Sequence, residues 1–168
     1  MLAVYLAILD EAHFEVQEAF KGLADDNVWK RPATGLLSIG EIAGHIAYWE
    51  VIKFAYDAGP DPDIALLELT SPLIDRRFRY YTTALDLSPS PEHLSLSAAE
   101  VYAEVVRLHE ESITRFQTRN PDLDSRPPGF GPNATYRAFL SYAPIHVAYH
   151  TGQIYSARHV LGELPPDN

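Results

Sequence analysis

The sequence predicts an all-α protein, a four-helix bundle, and three observations lead there. Apolar residues recur at spacings of three and four in four long stretches. Helix-capping signals open two of them, and no stretch alternates apolar and polar residues as a half-buried strand would. With 168 residues, 46% of them hydrophobic, residues 1–168 read as one domain with enough apolar material for a core.

The elements follow in order. Leu2, Leu6, Leu9, His13, Val16, Phe20 and Leu23 form a helical stripe, which predicts a first helix over residues 2–24. Asp25, Asp26 and Asn27 should end it, and residues 29–35 read as a connector punctuated by Pro32 and Gly35. The N-terminal stretch lacks the basic n-region of a signal peptide. It is expected to be a helix of the mature protein, with a cytoplasmic location. Ser38 and Glu41 fit a capping box. The second helix follows through Ile39, Ile42, Ala43, Ile46, Trp49, Ile52 and Tyr56 to a stop at Gly59-Pro60.

Residues 59–97 carry Pro60, Pro62, Pro72, Pro89 and Pro91. They predict a long crossover with one short helical piece over 73–85, long enough to lay the third helix parallel to the second. Ser97 and Glu100 repeat the capping-box pattern. Val101, Tyr102, Val105, Leu108, His109, Ser112, Ile113 and Phe116 extend the third helix to about Gln117. Residues 120–133 are a loop by composition. Asn133 or Thr135 should cap a fourth helix that runs to about Leu161 and ends at Gly162. Pro144 inside it predicts a kink or a break into two helices.

Composition removes several classes of function. Acidic residues number 23 against 13 basic, for a formal net charge of −10. A nucleic-acid partner or an anionic membrane surface needs the opposite balance. The chain has no cysteine. A metal here must therefore use histidine, carboxylate or water, and the protein supplies no thiolate of its own. No apolar run approaches the roughly 20 residues that span a bilayer.

The chemistry lies in the histidines. His146 and His150 are four apart, so a helix stacks them on one face. Seven histidines give such a pair by chance about 0.3 times, so the pair alone decides little. Its neighbours add to it. Tyr142, His146, His150 and Gln153 share one helical column, and Glu41, His45 and Trp49 share another. His45 sits among apolar residues, where both ring nitrogens need partners. Three imidazoles suit zinc, nickel or ferrous iron and leave a coordination position open, as catalytic sites do.

The other readings are plainer. Tyr142 and Trp49 fit the mouth of such a site or simple core, Gln153 could orient a ligand or its water, and Glu41 could be a fourth ligand or a general base, although its capping box explains it. His13, His93, His109 and His159 have no spacing that singles them out. His109 is expected to lie at a salt-bridged surface and His159 to pair with Tyr155 and Glu163. No His-Glu-x-x-His, Glu-x-x-His, Gly-x-Ser-x-Gly or phosphate-loop pattern appears.

These motifs resemble the DinB/YfiT superfamily of metalloenzymes. The segment DDNVWKRPATGLLSIGEIAGHIAYWE is similar to that family's end of helix 1, connector and histidine-bearing helix 2. SAAEVYAEV resembles the start of its helix 3. HVAYHTGQIYSARHVLG resembles its terminal His-x-x-x-His-x-Gly-Gln signature. The resemblance covers essentially the whole chain. It implies an up-down-down-up bundle with a crossover between helices 2 and 3, a divalent metal on His45, His146 and His150, and a homodimer. One departure is Thr151, where many relatives carry arginine. Pro144 is another unusual residue.

Relatives of known reaction include enzymes that transfer or isomerise using low-molecular-weight thiols such as mycothiol, bacillithiol or glutathione, and other members are described as metal-dependent hydrolases. The first functional expectation is therefore a metal-dependent S-transferase or isomerase with a small-molecule substrate, the cofactor supplying the sulfur. Arg76, Arg77 and Arg79 could contact the cofactor's carboxylates, although a solvated basic patch is the plainer reading. The alternatives are a hydrolase that activates a bound water and a non-catalytic metal-binding, stress-related module.

Overall fold

A computed structural model describes residues 2–79 and 88–164. Among them every regular element is helical. Four helices are long: α1 (Leu2–Phe20), α3 (Ile39–Glu50), α5 (Ala98–Arg119) and α6 (Tyr136–Val160). Two are single turns, α2 (Asp25–Val28) and α4 (Pro91–Leu94). α1 ends at Phe20, short of the expected 24. The expected breaker Asp25–Asn27 instead forms α2, its two aspartates in the first turn where the helix dipole favours acid.

α3 is the central element. Every residue from Ile39 to Tyr48 is buried, as expected of a helix apolar nearly all round, and α3 packs on both α5 and α6. Its start is the expected capping box: Ser38 Oγ accepts from the Glu41 amide, and Glu41 accepts from the Ser38 amide at 2.8 Å. Two glycines a turn apart let rings lie on its backbone. A Cβ on Gly40 would meet the Trp29 ring at 2.6 Å, and one on Gly44 the Phe78 ring at 2.8 Å. α3 does not stop at Glu50 but widens into a π turn, Val51–Ala55.

The described part of the crossover is built from single turns, Ile64–Leu66, Arg76–Phe78 and α4. Within 73–79 the regular piece is one 3-10 turn, Arg76–Phe78, capped by Asp75, and residues 80–85 lie outside the described residues. Arg76, Arg77 and Arg79 are engaged within the crossover. Arg79 lies 2.7 Å and Arg76 3.6 Å from Asp61, and Arg77 pairs with Asp75. α4 carries a capping box in which His93 takes the usual Glu place. His93 is thus a buried capping residue: Nε2 donates to the Pro72 carbonyl at 2.7 Å and Nδ1 accepts from the Ser90 amide.

α5 opens on the Ser97–Glu100 box and closes at Asn120, whose φ of 45° is the left-handed stop that asparagine tolerates. α6 starts at Thr135, whose side chain accepts from the Ala138 amide, and Gly162 at φ 82° ends it. It runs unbroken through Pro144, so the expected division into two helices does not occur. α6 packs along α1 and α3. At its C-terminal end Arg158 is buried, its guanidinium donating to the Ala19 and Lys21 carbonyls and to Glu163. Glu163 therefore pairs with Arg158, and His159 stands exposed beside it. Among the described residues no helix is long and apolar enough to cross a membrane.

Candidate metal centre

Two helices build the site. α3 supplies His45 from its buried face, and α6 supplies His146 and His150, stacked one turn apart. The ligand-capable nitrogens of the three rings lie within 4.8 Å of one another, and all three side chains are buried. His146 Nε2 and His45 Nε2 are 3.3 Å apart. Two imidazole nitrogens on a tetrahedral zinc with Zn–N of about 2.0–2.1 Å stand roughly 3.3–3.4 Å apart. The rings are inclined: His150 meets His45 at 71° and His146 at 77°.

The outer nitrogens fix the tautomers. His45 Nδ1 lies 2.7 Å from the Phe78 carbonyl, which can only accept, so Nδ1 carries the hydrogen and Nε2 a lone pair. His150 Nδ1 donates in the same way to Gln153 Oε1 at 2.7 Å. Burial is the main cause holding the three rings neutral. It lowers His45 to about 4, against the raising effect of the Phe78 hydrogen bond and with a further push from the His150 charge. It lowers His146 to about 3, helped by the Lys53, His150 and His45 charges. His150 is lowered too, by burial against its Gln153 hydrogen bond. Neutral imidazoles with fixed lone pairs are what a divalent cation requires.

The neighbouring candidates fall into place around this cluster. Gln153 orients His150. Tyr142 is half-exposed, its ring 5.9 Å from His146. Trp49 donates from its indole to the Arg79 carbonyl at 2.9 Å. Glu41 is occupied elsewhere, its carboxylate gripped by Arg31 at 2.5 and 3.0 Å besides the cap. Thr151 is buried and donates back to the Val147 carbonyl at 2.8 Å.

A second polar cluster was not legible in the sequence. His13 of α1 and His109 of α5 bracket Glu50 of α3, with His13 Nε2 2.9 Å from one carboxylate oxygen and His109 Nδ1 3.1 Å from the other. His109 is therefore buried between helices and not at the surface expected of it. Its Nε2 faces Asp10 at 3.5 Å. These three residues also lie close enough to share an ion, but their rings do not suit one. His13 and His109 are stacked, centroids 3.8 Å apart and planes only 28° off parallel. The two nitrogens that face Glu50 each carry a hydrogen and donate it to a separate carboxylate oxygen, so neither offers a lone pair to an ion. Burial alone would raise the Glu50 carboxyl, but the His13 charge and the two hydrogen bonds outweigh it and hold it well below the usual carboxylate range. Burial opposes charge on His109, and Glu50 with Asp10 outweighs that and raises it.

Sequence reading also missed Lys53, in the π turn. Its ammonium stands 5.3 Å from the Trp49 ring centroid, 5.2 Å from Tyr142 and 5.8 Å from Phe139. The spacing 45, 49, 53 was the available signal.

The family model of the DinB superfamily matches residues 8–154, a span that holds all three histidines. No curated protein and no solved structure matches the chain.

Proposed function

The chain belongs to the DinB superfamily, and from that premise we propose that it is a metal-dependent enzyme centred on His45, His146 and His150, transferring or isomerising with a low-molecular-weight thiol. The observation that carries this reading is the three-histidine convergence, with Nε2 of His45 and of His146 3.3 Å apart and Nδ1 of His45 and of His150 each held by a hydrogen bond. A zinc, nickel or ferrous ion held by those nitrogens supplies Lewis acidity, which lowers the pKa of a thiol or water brought to it. The protein has no cysteine, so the sulfur comes from the small-molecule cofactor. Phe78 and Gln153 hold the rings in position, while Trp49 and Tyr142 border the approach.

The hydrolase reading needs a carboxylate base at the centre. Glu41, its candidate, is held by Arg31 and Ser38, which favours the thiol reading. A non-catalytic metal-binding, stress-related module needs a fourth protein ligand to close the centre. With the enzyme reading go an up-down-down-up bundle, supported by the packing of α1 on α6 and of α3 on α5 and α6, a homodimer, and a cytoplasmic location with a small-molecule substrate and no nucleic acid or membrane partner.

Elemental analysis of protein purified without a nickel column should find one divalent metal per chain. His45→Ala, His146→Ala and His150→Ala should each abolish it; full metal in all three rejects the site. Metal-dependent consumption of a thiol against monochlorobimane supports the transferase. Hydrolysis of ester or phosphate probes without thiol replaces it with the alternative.

A further inference from the structure

Lys53 is a cation that the fold delivers beside the metal centre. It follows His45 and Trp49 at successive spacings of four along α3 and its continuation. The π turn bonds i to i+5, which adds a residue to the turn and re-aims the side chains within it. Here the ammonium is aimed among Trp49, Phe139 and Tyr142, all three rings within 5.8 Å. Two of those rings belong to α6 and one to α3, the helices that carry the histidines. Tyr142 itself abuts His146, and the Lys53 charge acts on all three imidazoles.

The ammonium is not there to pair with the protein. Among the described residues none forms a hydrogen bond or an ion pair with it. The Glu50 charge acts on it, but both Glu50 oxygens are taken by His13 and His109. Aromatic faces satisfy an ammonium only in part, since they offer a quadrupole and no lone pair. Neutral imidazoles offer no countercharge either, and a divalent ion adds repulsion. An anion between the two is the ligand that relieves both. A single ammonium in a cage of three rings fits one compact monoanion with an apolar body.

We propose that Lys53 is the anion-binding residue of this centre and that the substrate carries a carboxylate, which Lys53 holds beside the three histidines. The proposal rests on the metal reading of those histidines for its place in a reaction, and on the Lys53 cage for the binding itself. Burial lowers the lysine to about 8, against the Glu50 charge, which leaves it protonated at neutral pH and able to act.

The test titrates propionate, with neutral propionamide as the control, into two forms of the protein. In the metal-free form tryptophan fluorescence reports, because the Trp49 ring borders the ammonium. In the cobalt-loaded form the visible d–d bands report. Propionate should perturb both signals and propionamide neither. Lys53→Met should weaken propionate binding by about tenfold or more, the scale of one charge-assisted hydrogen bond, with metal content at the wild-type ratio. Lys53→Arg, which keeps the charge, should retain most of the binding and shows that the loss is not one of folding. Equal binding of propionate by wild type and Lys53→Met, or equal responses to propionate and propionamide, overturns the proposal. If the wild type takes up no cobalt, the metal reading falls while the fluorescence arm still decides Lys53.

Discussion

Glu50 shows how one residue can hold three helices. It sits at the end of α3 and accepts from His13 of α1 and His109 of α5. A buried carboxylate is costly unless paired, and removing part of such a network leaves the rest unsatisfied. Glu50→Gln should therefore cost about 3 kcal/mol, read as a lower Tm and denaturation midpoint. The pH dependence has a definite sign. Glu50 is lowered from its ordinary 4.5, so its contribution is full above that value and lost as pH falls through the depressed one. His109 is raised from 6.5, so its contribution is full below that value and lost as pH rises through the raised one. The stability gap between wild type and Glu50→Gln should be widest from about pH 4.5 to 6.5 and shrink towards pH 9. A gap that grows steadily above neutrality contradicts this account. This triad was invisible in the sequence because its members are 37 and 59 residues apart, and helical periodicity orders only residues within a few turns. His146 and His150 were visible for the converse reason: their geometry is set by a single turn.

At the scale of elements, what was legible was local chemistry. The Ser38 and Ser97 boxes form as the spacing predicts, and of the two caps open to the last helix, Asn133 and Thr135, Thr135 is the one used. The box at Ser90 went unread because histidine stands in for the carboxylate. α2 and the π turn went unread because tertiary packing, not propensity, selects them. The link from element to site runs through Gly44. Its missing side chain lets the Phe78 ring rest on α3, and that seat places the Phe78 carbonyl 2.7 Å from His45 Nδ1. Gly44→Ala adds a methyl where the ring atoms stand 2.8 Å away, so Phe78 must shift and its carbonyl with it. The helix itself should gain from alanine. The expected outcome is a still-helical protein, checked by circular dichroism, whose metal affinity falls about 10- to 100-fold, the scale for losing a partner that orients a ligand. Unchanged metal affinity in competition with a chromophoric chelator counts against the Phe78 link.

Across the whole molecule, the histidine centre is a tie between distant parts of the chain. His45 and His146 are 101 residues apart, and the segments between them include the crossover and all of α5. The sequence suggested convergence only through the apolar setting of His45 and the family resemblance, since nothing local joins α3 to α6. The physical consequence is that an ion bound there is held by the folded state alone, because unfolding separates its ligands. Binding to the native state stabilises by RT ln(1 + [L]/Kd), about 2.7 kcal/mol with metal at 100 times Kd. For a protein of this size each kcal/mol is worth roughly 2–4 °C, so saturating zinc should raise Tm by roughly 5–10 °C. Chelation should reverse the rise. His45→Ala leaves both α6 ligands in place but unties α3, and should lose most of the rise even where its own metal-free Tm matches wild type. His13→Ala, which touches only the Glu50 network, should keep the full rise from a lower starting point. An equal metal-induced rise in His45→Ala and wild type means that the ion binds elsewhere, and the bridge between α3 and α6 is then not a metal centre.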